Sequence, residues 1–317
     1  MIFLKIFFLV GLCFILASAT KLLTNSFEKI AKLWGMDEFF LANLLIAFGT
    51  SLPELIIGIN AALKGNPILG LSNVLGSNIA NISLIIGGAT LIAGNLRIPA
   101  RITNNEIYYA FLVAAAPLIL LSDGFLSRLE ALLLIFLYLI WQGISFKSFS
   151  PQSSLTILKR IKRHFFTGFS FKKELLKLMT SLVGVIIISK AIVILSINIS
   201  KQFLIPMMII GIFILGIGSA LPELAFGITG IKSKKHKPVL GNLFGSLVVN
   251  SSLIIALICL IQPIKLFDPT RYFRITIYFL LMFLLFYLFV RTKRNLEKWE
   301  GAFLVAAYVI LVILETP

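Results

Sequence analysis

Long apolar runs separated by brief polar or basic interruptions dominate this chain. Read as runs of about 20 residues, the length that crosses a bilayer core as helix, they predict ten spans: 3–23, 40–64, 68–94, 102–122, 125–146, 174–197, 204–231, 238–262, 272–291 and 299–315. The third and fourth are divided only by a short polar link around Arg97–Asn105. With 59% hydrophobic residues, 13% charged residues and a mean hydropathy of +1.01, the chain reads as a polytopic membrane protein. A soluble domain with a large core does not fit that composition.

The pattern repeats. GTSLPE at Gly49–Glu54 returns as GSALPE at Gly218–Glu223, an offset of 169 positions. GSNIAN at Gly76–Asn81 returns as GSLVVN at Gly245–Asn250, and SLII at Ser83–Ile86 as Ser252–Ile255, with the same offset. One offset held over some forty residues marks a duplicated structural unit. The motif-bearing spans are the second and seventh, and an odd separation inverts one copy relative to the other. The predicted fold is therefore an all-α polytopic membrane protein of ten transmembrane helices, arranged as two five-helix inverted-topology repeats. Residues 1–146 form the first repeat, 147–173 a basic cytosolic linker, and 174–317 the second repeat. Within the linker, Leu155–Phe166 has the makings of a basic amphipathic helix on the inner leaflet. Residues 1–20 have the look of a signal peptide, but the duplication sets 1–23 opposite 170–192, with Lys21 matching Lys190. A retained first helix is the expectation.

Charge then sets the orientation. The net charge of +16 invites a nucleic-acid reading, but 21 of the 29 Lys and Arg fall in loops 1–2, 3–4, 5–6, 7–8 and 9–10. That is the positive-inside bias. It predicts both termini outside, the linker in the cytosol, and basic residues that orient helices, with anionic headgroups as a secondary contact. Cys13 and Cys259 both lie in spans, where packing explains them.

Of 13 acidic residues, only Glu54 and Glu223 fall deep inside spans, and they are repeat mates. No Lys or Arg lies deep enough beside them to pair. Ionisable groups at such depth are costly and mark ion pathways. Oxygen surrounds them: Thr50 and Ser219 each precede a glutamate by four positions, and Ser77–Asn81 and Ser246–Asn250 are spaced by four as well. Pro53 and Pro222 have no N–H to give the carbonyls of Gly49 and Gly218, and the carbonyls of Ala47 and Gly216 are expected to turn inward where the helices break. Any one of these features has a plain explanation, a proline as a kink or a serine as helix packing. Their recurrence at one offset around an unpartnered carboxylate favours a cation site. Hard oxygen donors suit Ca²⁺ or Na⁺, whereas zinc and copper favour imidazole or thiolate. His164 and His236 lie in basic loops.

On these residues the chain resembles the cation/calcium exchanger superfamily, in particular prokaryotic sodium/calcium exchangers. GTSLPE with GSNIAN, and GSALPE with GSLVVN, look like its two alpha repeats. The resemblance implies an antiporter without a cofactor, moving Ca²⁺ against Na⁺ or H⁺ through a midplane site in the cell membrane and functioning as a monomer. It implies Ca²⁺ ligation by Glu54, Glu223, Thr50 and Ser219. It further implies flanking cation positions lined by Ala47, Ser77, Gly216, Ser246, Asn81 and Asn250. Helices 2, 3, 7 and 8 are expected to hold the site while helices 1 and 6 slide across it. Three departures stand out: Ala220 replaces the usual Ser, Leu247 stands where Asn is expected, and Asn250 occupies a position at which sodium exchangers commonly carry Asp. Paired Asn is also a feature of proton-coupled calcium exchangers. A channel remains an alternative of a different class. An intramembrane enzyme has no HExxH motif, no intramembrane His and no paired Asp to support it.

Overall fold

The computed structural model describes residues 2–34, 47–98, 104–147 and 169–315. Most of the 147–173 linker, including Leu155–Phe166, and the start of the 40–64 span lie outside the described residues. Elsewhere the apolar runs become helices: α1 (Ile2–Trp34), α2 (Ala47–Thr50), α3 (Leu52–Leu63), α4 (Pro67–Ala80), α5 (Ile86–Ala93), α6 (Asn104–Leu120) and α7 (Arg128–Lys147). The second part of the chain adds α8 (Phe169–Phe203), α9 (Met207–Ile209), α10 (Gly216–Ser219), α11 (Leu221–Lys232), α12 (His236–Val248), α13 (Ile255–Ile261), α14 (Pro269–Lys293) and α15 (Lys298–Glu315). Six helical stretches among the described residues are long and apolar enough to cross a membrane, and Leu52–Leu63 and Ile107–Leu120 are shorter apolar helices.

α1 and α8 run 33 and 35 residues. At 1.5 Å per residue each is about 50 Å long, well beyond a hydrocarbon core of roughly 30 Å, so tilt or extension past the headgroups is required. They pack antiparallel along most of their length. At one end Lys5 donates to Gln202 and lies over the Phe203 ring; at the other, Ser26 and Lys29 both reach Glu174. Their inner faces, Leu9, Leu16, Val185 and Ile192 among them, are fully buried against Ile57, Leu69 and Leu215. Their outer faces carry Phe3, Phe7, Phe14, Val183 and Ile187, all exposed. Apolar residues outside as well as inside are what lipid as solvent selects.

The remaining helices form the larger core, and within it, among the described residues, three helices are interrupted by wider π turns. These cover Asn81–Ile85, Ile210–Leu215 and Val249–Ile254. Such turns are rare and cluster at functional positions. The 169 offset relates the first and third; the counterpart of the second falls outside the described residues. α3 and α11 also correspond, and each opens with proline at its first turn, a position that needs no intrahelical N–H.

Two short ribbons tie the copies together. β1 (Leu96–Arg97) pairs antiparallel with β4 (Asn295–Leu296), and β2 (Phe125–Leu126) with β3 (Ile264–Lys265). Within one residue the offset turns β1 into β3 and β2 into β4, so each ribbon is the repeat image of the other. Ser127 and Glu130 form a capping box at the start of α7, with the Ser127 amide 2.7 Å from the carboxylate. At α15 the Glu297 amide likewise donates to Glu300 at 2.7 Å. These two acids cap helices, and Glu315 pairs with Arg271 and Arg274.

Glycine permits the closest approaches. A Cβ on Gly76 would lie 2.3 Å from the Ile212 carbonyl oxygen, and one on Gly216 would lie 2.6 Å from the Gly76 carbonyl carbon. Backbone meets backbone there, and nothing flexible can yield. Gly76→Ala is expected to destabilise the protein by about 1–3 kcal/mol through overpacking, read as a lower thermal midpoint in detergent. Gly184→Ala, whose Cβ meets nothing within 4 Å, should be neutral or slightly stabilising.

Candidate cation site

The break between α2 and α3 falls at Ser51, and the repeat break at Ala220 has the same backbone angles within a few degrees. Restarting a helix there places Glu54 and Glu223 in first turns, beside unpaired N–H groups and the positive end of the helix dipole. Both carboxylates are buried, at 0% and 4% exposure, and each lies within electrostatic reach of the other. No ion pair among the described residues involves either one.

The shell around them is crosswise. Ser77 donates to Glu54 Oε1 at 2.7 Å from within the same repeat, and the Ser219 hydroxyl approaches Glu54 from the other. Thr50 approaches Glu223 in return. Thr50 Oγ1 also lies 3.2 Å from Asn242 Oδ1, and Ser219 Oγ 3.2 Å from Asn73 Oδ1. Asn73 and Asn242 are repeat mates that the sequence reading overlooked. The signal was present: Asn73, Ser77 and Asn81 stand four apart on one helical face, as do Asn242, Ser246 and Asn250.

Unsatisfied oxygens converge here. Glu54 Oε2, both carboxylate oxygens of Glu223, both amide atoms of Asn81 and Oδ1 of Asn250 are buried without a hydrogen-bond partner. Native interiors rarely leave such groups unpaired, and the orphaned oxygens among them are acceptors suited to a cation. The donors are oxygen throughout, in keeping with a hard ion. A small cleft lined by Asn81, Glu223, Phe226, Gly227, Val239 and Asn242 opens on the Glu223 side. On the repeat-related side the Ile258 side chain packs against Gly58 and Gly70.

The structure brings Glu54, Glu223, Thr50, Ser219, Ser77, Asn81 and Asn250 into this buried region. It departs from expectation at two of the other positions. The Ala47 carbonyl is not loose, because it accepts the Ser51 amide at 3.0 Å and the Thr50 hydroxyl at 3.2 Å; the helix turn before the break closes normally. Ser246 is buried but turns back to the Leu243 carbonyl at 3.1 Å instead of mirroring the Ser77 contact to glutamate. Gly216 acts through its missing side chain, seated against Gly76 and Ser77.

Paired buried carboxylates and unpaired oxygens within a membrane helical fold have the chemistry to hold a cation. The chain matches the family described as sodium/calcium exchanger protein over residues 4–147 and 173–316, and it belongs to that family. It is thus an integral membrane protein of a transporter family and not of an enzyme class. It is similar to the sodium/calcium exchanger MaX1 of Methanosarcina acetivorans, at 26% identity with 96% of each chain covered. It is also similar to the inner membrane protein YrbG of Escherichia coli, at 26% identity over 80% of this chain and 79% of that one. The fold matches a structure of the sodium-calcium exchanger NCX_Mj soaked with 10 mM Na⁺ and 10 mM Sr²⁺, with a TM-score of 0.71, 23% identity and 100% of both chains covered.

The crosswise bonds are open to measurement. Double-mutant cycles with Thr50→Ala and Asn242→Ala, and with Ser219→Ala and Asn73→Ala, are each expected to give a coupling of about 1 kcal/mol in unfolding free energy. The mismatched cycle of Thr50→Ala with Asn73→Ala should give close to none.

Proposed function

We propose that this protein is a secondary antiporter that moves Ca²⁺ against Na⁺ by alternating access, with Glu54 and Glu223 as the central ligands. Thr50 and Ser219 supply hydroxyl oxygen to the same ion, and Ser77, Ser246, Asn81 and Asn250 line flanking positions, with Ala47 and Gly216 shaping the helix breaks. The observation that carries this reading is the pair of buried, repeat-related carboxylates that keep unpaired oxygens and, among the described residues, have no ion-pair partner. Two like charges in a dry interior repel and are poorly solvated. A divalent cation, or two monovalent ones, removes both penalties.

The arrangement we infer is ten helices in two inverted five-helix repeats, residues 1–146 and 174–317, joined by the cytosolic linker and with both termini outside the cell membrane. Two independent arguments support it. The positive-inside bias puts loops 3–4 and 9–10 on one side and loops 4–5 and 8–9 on the other. The ribbons join the same partners, β1 with β4 and β2 with β3. A single copy has the complete set of ligands, so a monomer suffices for the reaction.

One observation favours Ca²⁺/H⁺ exchange as a second reading. Residues 81 and 250 are both Asn, which leaves two carboxylates at the centre. Two negative charges balance one Ca²⁺, two Na⁺ or two protons, whereas a third Na⁺ leaves uncompensated charge in a low-dielectric site, a cost of several kcal/mol. Ca²⁺ uptake by proteoliposomes, driven in turn by Na⁺, H⁺ and K⁺ gradients, distinguishes these couplings and also a channel, which needs no counter-cation. Glu54→Gln and Glu223→Gln are each expected to abolish exchange in a protein that still folds. Full exchange in both variants would refute the site. Under an imposed voltage, balanced exchange should leave the Ca²⁺ rate unchanged; a rate that follows the voltage would establish a third counter-charge.

A further inference from the structure

The two halves of the site also differ in how their flanking amides are held. Asn250 Nδ2 donates to Asn78 Oδ1 at 3.0 Å, and Asn78 Nδ2 donates to Ser251 Oγ at 2.7 Å. All three residues are at most 2% exposed. The 169 offset converts Asn78 into Leu247 and Ser251 into Ile82, which are both fully buried and apolar. The polar chain is therefore built on one side of the pseudo-axis and replaced on the other by a matched apolar pair. Its effect falls on the amides. Asn250 has its N–H₂ group engaged and its Oδ1 without a partner, whereas its mate Asn81 has neither amide atom bonded.

We propose that Asn78, backed by Ser251, is a positioning residue that fixes Asn250 with its carbonyl oxygen toward the cation cavity, making the second-repeat flank a rigid neutral oxygen donor. Asn81 has no such anchor and is free to rotate. The two flanking positions are then unequal: the one beside Asn250 is preorganised, and the one beside Asn81 adapts to its ion. Preorganisation lowers the ordering cost of binding. It matters most for a monovalent ion, whose weak electrostatic attraction gives little to offset that cost. This inference rests on the exchanger reading and specifies which of its flanking oxygens is fixed.

The test copies the protein's own solution. Asn78→Leu with Ser251→Ile reproduces in the second flank the Leu247–Ile82 pair already accommodated in the first. Proteoliposome Ca²⁺ uptake, titrated with the competing cation that wild type uses, should show a maximal rate within about two-fold of wild type and an apparent affinity for that cation about five- to ten-fold weaker. Ser251→Ala alone should shift the affinity in the same direction by less, and it keeps the test alive if the double variant does not fold. In an Asn250→Ala background the Asn78→Leu change should add nothing, a result that a merely structural role would not give. Unchanged affinity in the folded variants, or full additivity with Asn250→Ala, would overturn the role of Asn78 while leaving the exchanger reading intact. A wild-type protein that exchanges no cation and shows no Ca²⁺-induced thermal shift would overturn both.

Discussion

Two carboxylates placed together in a water-poor interior impose the constraint around which this protein is organised. An uncompensated buried charge costs several kcal/mol even after relaxation, and among the described residues no lysine or arginine pairs with either glutamate. The local architecture supplies partial relief. Each glutamate sits in the first turn of a helix that restarts after a break, where the dipole is positive and amides are unpaired. Each is approached by a hydroxyl from the opposite repeat. Gly76 and Gly216 meet backbone to backbone, an approach that a Cβ on either would prevent. The π turns that begin at Asn81 and Val249 open the neighbouring helices at the same depth. The larger buried core packs around these segments.

The repeat provides a symmetric skeleton and the side chains depart from it. Crosswise bonds from Thr50 to Asn242 and from Ser219 to Asn73 obey the pseudo-two-fold relation closely, as do the two ribbons. Ser77 and Ser246 do not: one contacts a glutamate and the other its own helix. Ile258 packs against Gly58 and Gly70, whereas its mate Ala89 stands beside Gly227, where a small cleft is lined in part by Glu223. A branched side chain on one side and a methyl on the other make the packing beside the two glutamates unequal.

Much of the architecture was legible because lipid reduces the structural menu to helices and closed barrels. The apolar runs fell within a few residues of observed helices, among them 128–147 for the predicted 125–146 and 298–315 for 299–315. Three features resisted. The helices α1 and α8 extend well past their apolar stretches, and polar end contacts such as Ser26 with Glu174 continue their packing there. The π turns follow from how neighbouring helices fit together and leave no local propensity signal. Asn73 and Asn242 were missed because they lie outside the most conspicuous hexapeptides, although the same offset and spacing pointed to them. Ser246 shows the opposite limit: the repeat predicts its position correctly, but a hydroxyl rotor chooses among acceptors within reach, and no sequence pattern dictates that choice.

The unpaired oxygens carry a consequence for coupling. A polar network with every donor and acceptor matched is rigid and holds its shape without help. This one is incomplete within the protein itself, with Glu223 lacking hydrogen bonds at both oxygens and Asn81 at both amide atoms. On the exchanger reading, that deficit prevents slippage. Closing the site around two bare carboxylates brings like charges together in a medium that scarcely screens them, whereas closing it around a cation turns the same groups into ligands. The barrier to an empty passage and the affinity for cargo then arise from one set of atoms. A substitution that satisfies those oxygens internally would weaken both together, and tight coupling therefore requires that the resting site stay short of partners.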